Sequence, residues 1–221
     1  MRFTTAILTV ATLTCSALLG AAQQGDPHAG HDHSKHTHDK AEIAHAAPAF
    51  SLKGVDGKTY SLADYKGKVV VLEWFCSSCP ASGRGEGSFW GSGKAAATVE
   101  GLRKADPDAM YFAVNSTKDG YNGMSNAEEG TASAEVMSKA GASVPVLLDA
   151  DGKVGKAYGA KTTPHVFIIA ADGNVAYIGA PVSKDGKTNY VVNAVTALKA
   201  GKPVEPATTK NEGCGVKYAK Q

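Results

Sequence analysis

Lys66-Gly67-Lys68-Val69-Val70-Val71-Leu72-Glu73-Trp74-Phe75-Cys76-Ser77-Ser78-Cys79-Pro80 carries an apolar strand straight into two cysteines and a proline. A Cys-x-x-Cys behind a strand suits thiol redox chemistry, because a thiolate whose pKa is lowered by local positive charge is the reactive form. A third thiol, Cys214, lies near the end of the chain. Thr163-Pro164 opens a second apolar strand, His165 to Ala170.

These residues need a scaffold, and the chain has 221 residues to build it. Hydrophobic content of 43% suits an ordinary globular core. A formal net charge of +2 is too small to argue for a nucleic-acid partner. Residues 1–22 read as a secretory signal peptide: Arg2, then apolar Ala6 to Leu19, then small Gly20-Ala21-Ala22. The apolar run is short for a membrane span, so no stable span is expected after its removal. Cys15 leaves with it, and the exported chain keeps Cys76, Cys79 and Cys214 in a compartment where disulfides persist. An odd thiol count implies one free thiol or a bond that changes partners.

Residues 23–46 form a His-rich linker expected to be disordered, with His28, His31, His33, His36 and His38 among few apolar side chains. Such imidazoles can bind Zn, Cu or Ni incidentally. The domain is expected over 47–202. Phe50 to Leu52 and Thr59 to Leu62 make a hairpin across Asp56-Gly57. Val69 to Phe75 is a central strand. A helix is predicted near Cys79-Pro80, broken or delayed by five glycines between Ser82 and Gly93. That glycine-rich segment, with Phe89 and Trp90, is expected to form a flap beside Cys79. Helical spacing resumes over Lys94 to Lys104. Met110 to Val114 is a strand, Asn115 to Gly130 a polar loop, Ala132 to Ala140 a short helix and Val144 to Leu148 a strand. Val154 to Tyr158 is a short helix. His165 to Ala170 and Val175 to Gly179 form a hairpin across Asp172-Gly173. Tyr190 to Leu198 is a closing helix. Residues 203–221 are an extended tail carrying Cys214. The order argues for an α/β fold with a mixed sheet covered on both faces.

The chain resembles the redoxin branch of the thioredoxin superfamily, which includes the alkyl hydroperoxide reductase and thiol-specific antioxidant proteins. The residues that carry the likeness are Ala47 to Leu52, Tyr60 to Lys68, Val69 to Pro80, Ala157 to Ala160 with Thr162-Thr163-Pro164, Asp172-Gly173, and the ending Gly213 to Tyr218. The resemblance implies a thioredoxin-like fold with an N-terminal β-hairpin extension. It also places Cys79 on the first active cysteine of related exported reductases and Ser82 on the second, with Cys76 in the strand before them. Ser82 cannot resolve a mixed disulfide, so Cys76 or Cys214 is expected to. Cys79 is the expected nucleophile, with the following helix lowering its pKa. The resemblance makes Glu73 a buried acid near the sulfurs. It makes Thr163-Pro164 a cis-proline loop whose backbone pairs with substrate.

Three functions are open. Thiol–disulfide exchange comes first, with protein or small-molecule thiols and disulfides as partners, an unidentified electron donor and no required cofactor. Peroxide reduction through a Cys79 sulfenic acid is second. The peroxidase pattern has Thr three residues before the cysteine and an Arg beyond. Here Cys76 takes the Thr position, and Arg84 and Arg103 are the only arginines after the leader. A copper- or zinc-binding redoxin-like module is third.

Overall fold

The computed structural model describes residues 40–220. The signal-peptide segment and His28, His31, His33, His36 and His38 therefore lie outside the described residues. The elements run β1 (Ser51–Gly54), β2 (Thr59–Ser61), a 3-10 turn (Leu62–Tyr65), β3 (Val70–Trp74), α1 (Lys94–Ala105), β4 (Met110–Asn115) and α2 (Asn126–Lys139). They continue with β5 (Val146–Leu148), α3 (Lys153–Tyr158), β6 (Thr162–Thr163), β7 (His165–Ile169), β8 (Val175–Gly179), α4 (Tyr190–Lys199) and β9 (Cys214–Gly215).

β3 is buried along its whole length, and β4 at every residue but Met110, because both faces of the sheet are covered. The seven-stranded sheet has the order β2-β1-β5-β4-β3-β7-β8. β3, β4 and β5 are parallel, while β1, β7 and β8 join antiparallel. The N-terminal hairpin thus extends the sheet beyond β5. Alternate residues of β3 feed two apolar layers. Val71 and Phe75 pack with Val99, Leu102, Val191 and Val195 of α1 and α4. Val70, Leu72 and Trp74 pack with Phe112, Tyr158 and Phe167. Gly101 lets α1 sit close to α4, since a Cβ there would lie 2.7 Å from Val192 Cγ2.

Four expectations need correction. No α-helix starts at Cys79-Pro80. The chain instead makes successive turns up to Lys94. Five glycines make helix there costly, at about 1 kcal/mol each relative to alanine, and Gly85 and Gly93 have positive φ. α2 begins at Asn126 inside the expected polar loop, because Ser125 and Glu128 form a reciprocal capping box. Residues 41–46 are not a free linker. Ala41 N–H donates to Ala157 O at 3.0 Å, Ala44 N–H donates to Val175 O at 2.8 Å, and Ala46 bridges Asn174. Ala41 is buried there and Ile43 packs against the same apolar layer.

The C-terminal tail is the fourth. It is docked on both sides of Cys214. Upstream, Thr209 N–H donates to Ile178 O at 3.1 Å, and Thr209 Oγ1 accepts from Ala180 N–H at 3.0 Å. Downstream, Lys118 N–H donates to Lys217 O at 2.8 Å, and Tyr218 O–H donates to Ala160 O at 2.8 Å. The Tyr218 ring lies against Gly152 and Gly155, where a Cβ would collide with it.

Candidate functional site

The end of β3 delivers Cys76, and a turn carries the chain on to Cys79. Cys79 N–H donates to Cys76 O at 3.2 Å, closing that turn. Beyond it, the Cys79 carbonyl accepts from the N–H groups of Ser82, Gly83 and Arg84 at 3.2, 2.9 and 2.9 Å. The turn is clamped from α2: Glu129 Oε1 accepts from Ser77 N–H at 2.6 Å and from Ser77 Oγ–H at 2.8 Å. Glu129 is buried, so this charge-assisted pair is shielded from water.

Cys79 and Cys214 form a disulfide, with a Cα–Cα distance of 6.2 Å across 135 residues of sequence. That spacing falls inside the usual range for the bond. Thr163-Pro164 is a cis peptide, as the resemblance implied. Thr163 O lies 3.5 Å from Cys79 Sγ. The tail lies on this loop as a strand: Thr163 faces Cys214 and Thr162 faces Gly215, antiparallel. Val216 N–H donates to Lys161 O at 3.1 Å, and Asn211 Nδ2–H donates to Thr162 Oγ1 at 2.6 Å. Gly213 permits the approach, since a Cβ there would collide with the Thr163 carbonyl.

A cavity of about 100 Å³ adjoins the disulfide. Cys76, Cys79, Cys214, Ser78, Ser116 and Thr117 are among the residues that line it. Cys76 is a buried free thiol with Sγ 3.1 Å from Ser78 Oγ. Burial pushes its pKa up, the Ser78 hydroxyl opposes this, and the Glu129 carboxylate adds to the rise. The helix expected to activate Cys79 is absent, so that source of positive charge is absent too.

Glu73 is fully buried on β3, and its pKa is pushed up to about 7 by loss of solvent. Hydrogen bonds from Tyr111 O–H at 2.7 Å and Trp90 Nε1–H at 3.1 Å work against that rise. Its hydrogen bonds go to these two rings and none to a cysteine. Trp90 and Phe89 of the glycine-rich segment are buried, so these two side chains serve as core and not as a solvent-facing flap. His165 is buried and neutral, its pKa held down at about 4 by desolvation and then by Lys161. Its ring packs on Phe167 at 4.6 Å. Arg84 is exposed, and Arg103 donates to Ser143 O at 3.1 Å on the helical side of the sheet. Ser82 Oγ is buried without a hydrogen-bond partner.

Sequence reasoning missed Glu129, Gly213 and Tyr218 as determinants of the site. Glu129 acts on a residue 52 positions away, and only its place next to the Ser125–Glu128 capping box marks it as lying near a helix start. Gly213 and Tyr218 were visible as part of the ending Gly213 to Tyr218, without a sign of where that ending docks. Among the described residues, no group of three or more His, Cys, Asp or Glu side chains is placed to hold a metal. No described helix is long and apolar enough to cross a membrane.

Comparison with known proteins bears on this arrangement. A structure of a hypothetical protein from Sinorhizobium meliloti 1021 is similar at 22% identity and TM-score 0.65, covering 83% of this chain and 98% of that one. An uncharacterized conserved protein from Geobacillus kaustophilus is similar at 24% identity and TM-score 0.63, covering 81% and 94%. A peroxidoxin from Mycobacterium tuberculosis is similar at 17% identity and TM-score 0.50, covering 73% and 97%. These likenesses establish a thioredoxin-like fold. A search of curated proteins gave no match. The redoxin family model matches residues 42–196. With that match spanning more than half of its length, the chain belongs to the redoxin family and is a thiol oxidoreductase in the general sense.

Proposed function

We propose that this chain is an exported thiol–disulfide oxidoreductase in which Cys79 is the nucleophile and Cys214 the resolving thiol. The observation that carries the reading is the Cys79–Cys214 bond. In the reduced protein the Cys79 thiolate attacks a substrate disulfide, bonds to one sulfur and expels the other as a thiolate. The Cys214 thiolate then attacks Cys79 Sγ, closes the internal bond and releases the second substrate thiolate. The substrate gains two electrons and the protein loses them. A dithiol donor restores the enzyme by the reverse exchange. Both redox atoms belong to the chain, so no metal is required. Zn, Cu or Ni bound at His28 to His38 would be a separate property. Export rests on the composition of residues 1–22.

A second reading is favoured by one observation. The tail already occupies the backbone of Thr163, and the space beside the sulfurs is only about 100 Å³. That suits a small oxidant. In this reading Cys79 takes the terminal oxygen of a hydroperoxide, the alcohol leaves, and Cys214 condenses with the sulfenic acid to give the same disulfide and water.

The test is turnover of a small disulfide and of hydrogen peroxide by the reduced protein, with a dithiol as donor. The first reading predicts disulfide turnover that is lost in Cys79→Ser, with Cys214→Ser accumulating a mixed disulfide. Rapid peroxide turnover with negligible disulfide turnover would replace the first reading by the second. Activity retained by Cys79→Ser would overturn both.

A further inference from the structure

We propose that Cys76 is a third redox thiol that takes Cys79 over from Cys214 and thereby frees the tail strand. This rests on the Cys79–Cys214 couple and adds a step to it. Three observations meet at Cys76. It is a free thiol lining the same small cavity as both bonded sulfurs. The turn closed by Cys79 N–H and Cys76 O brings the two Cα atoms within about 7 Å, the span of a disulfide. Its neighbours are polar: Ser78 Oγ at 3.1 Å, with Ser116 and Thr117 in the same cavity wall.

Glu129 holds Ser77 in the middle of the turn, so the two cysteines at its ends keep their separation.

The step is an isomerisation and needs no outside oxidant. Cys76 gives up its proton to solvent. The Cys76 thiolate attacks Cys79 Sγ, the Cys76–Cys79 bond forms, the Cys79–Cys214 bond breaks, and Cys214 leaves as a thiolate that is then protonated. The protein stays at the same oxidation level. Only the Cys214 isomer holds the tail beside the Thr163 edge covalently, through its bond to Cys79. In the Cys76 isomer that edge can open to an extended polypeptide.

The test uses the full chain, with peptide mapping that separates Cys15 from the site. Cys214→Ser is oxidised with oxidised glutathione, quenched in acid, alkylated and mapped. Loss of both alkylatable thiols with an intrachain Cys76–Cys79 bond is expected, together with faster tryptic cleavage after Lys217 than in the oxidised wild type. Cys76→Ser combined with Cys214→Ser should give only a glutathione adduct at Cys79. A Cys214→Ser protein that yields the Cys79 adduct while Cys76 stays alkylatable would overturn the relay. If oxidised wild type lacks the Cys79–Cys214 bond, the parent reading fails. If it has that bond and Cys214→Ser forms no second bond, the relay alone fails.

Discussion

Thr163 and Cys214 stand opposite one another in a two-residue antiparallel ladder, and Cys214 is also bonded to Cys79. One residue therefore satisfies both the backbone edge and the sulfur of the site. The tail is held there by contacts before and after Cys214, from Thr209 on β8 to Tyr218 against α3.

That placement depends on Gly213. A side chain there would collide with the Thr163 carbonyl, whereas a Cβ at Gly215 would meet nothing closer than Lys161 O at 4.0 Å. Overpacking of this kind costs about 1–3 kcal/mol, and 1.4 kcal/mol is about a tenfold change in an equilibrium constant. Gly213→Val is expected to weaken the Cys79–Cys214 bond by about tenfold in a glutathione redox titration. Gly215→Ala should leave it close to wild type.

Ser82 marks where a second site cysteine would close a short motif. Its hydroxyl is buried without a partner, so a sulfur there sacrifices no hydrogen bond. Its N–H already reaches Cys79 O at 3.2 Å, which makes the turn of a Cys-x-x-Cys pair. Ser82→Cys should capture Cys79 on oxidation and leave Cys214 open to alkylation. Mapping that still finds Cys214 protected would contradict this geometry.

Glu73 and His165 pull stability in opposite directions with pH. Glu73 has its pKa raised from 4.5 to about 7, so the folded state holds its proton more tightly. Its contribution is complete below about pH 4.5 and is lost as pH rises to about 7. His165 has its pKa lowered from 6.5 to about 4, so its contribution is present above 6.5 and lost as pH falls toward 4. Each amounts to about 3 kcal/mol, and the two offset one another between them. Glu73→Gln should steepen acid destabilisation, and His165→Phe should make stability fall as pH rises. Denaturant melts across this pH range check both slopes. Parallel curves for wild type and Glu73→Gln would contradict a Glu73 that titrates near neutrality.

The sheet was legible because its strands are short apolar runs bounded by turn residues, from Val70–Trp74 to the Asp172-Gly173 hairpin. Pro80 misled, since a proline suited to a first helical turn was followed by glycines that favour turns. The start of α2 lies in Ser125 and Glu128, a capping pair set among polar residues that otherwise read as loop. At the site, Cys79 and the Thr163-Pro164 loop were marked by the resemblance to related exported reductases. The seat of Cys214 was not. It depends on a two-residue ladder, Thr162 with Gly215 and Thr163 with Cys214, and on the space left by Gly152, Gly155 and Gly213, none of which has a periodic trace in the chain. Burial of Glu73 was foreseen, while its partners Trp90 and Tyr111 come from distant elements.

In the proposed reaction Cys79 and Cys214 act as one redox couple. The most direct measurement is mass mapping of alkylated cysteines in the full chain, equilibrated across a graded series of glutathione buffers and quenched in acid. Cys79 and Cys214 should gain and lose protection together, as the principal pair, at a single midpoint. Cys79 protected mainly through another partner, with Cys214 alkylated at the same midpoint, would contradict it.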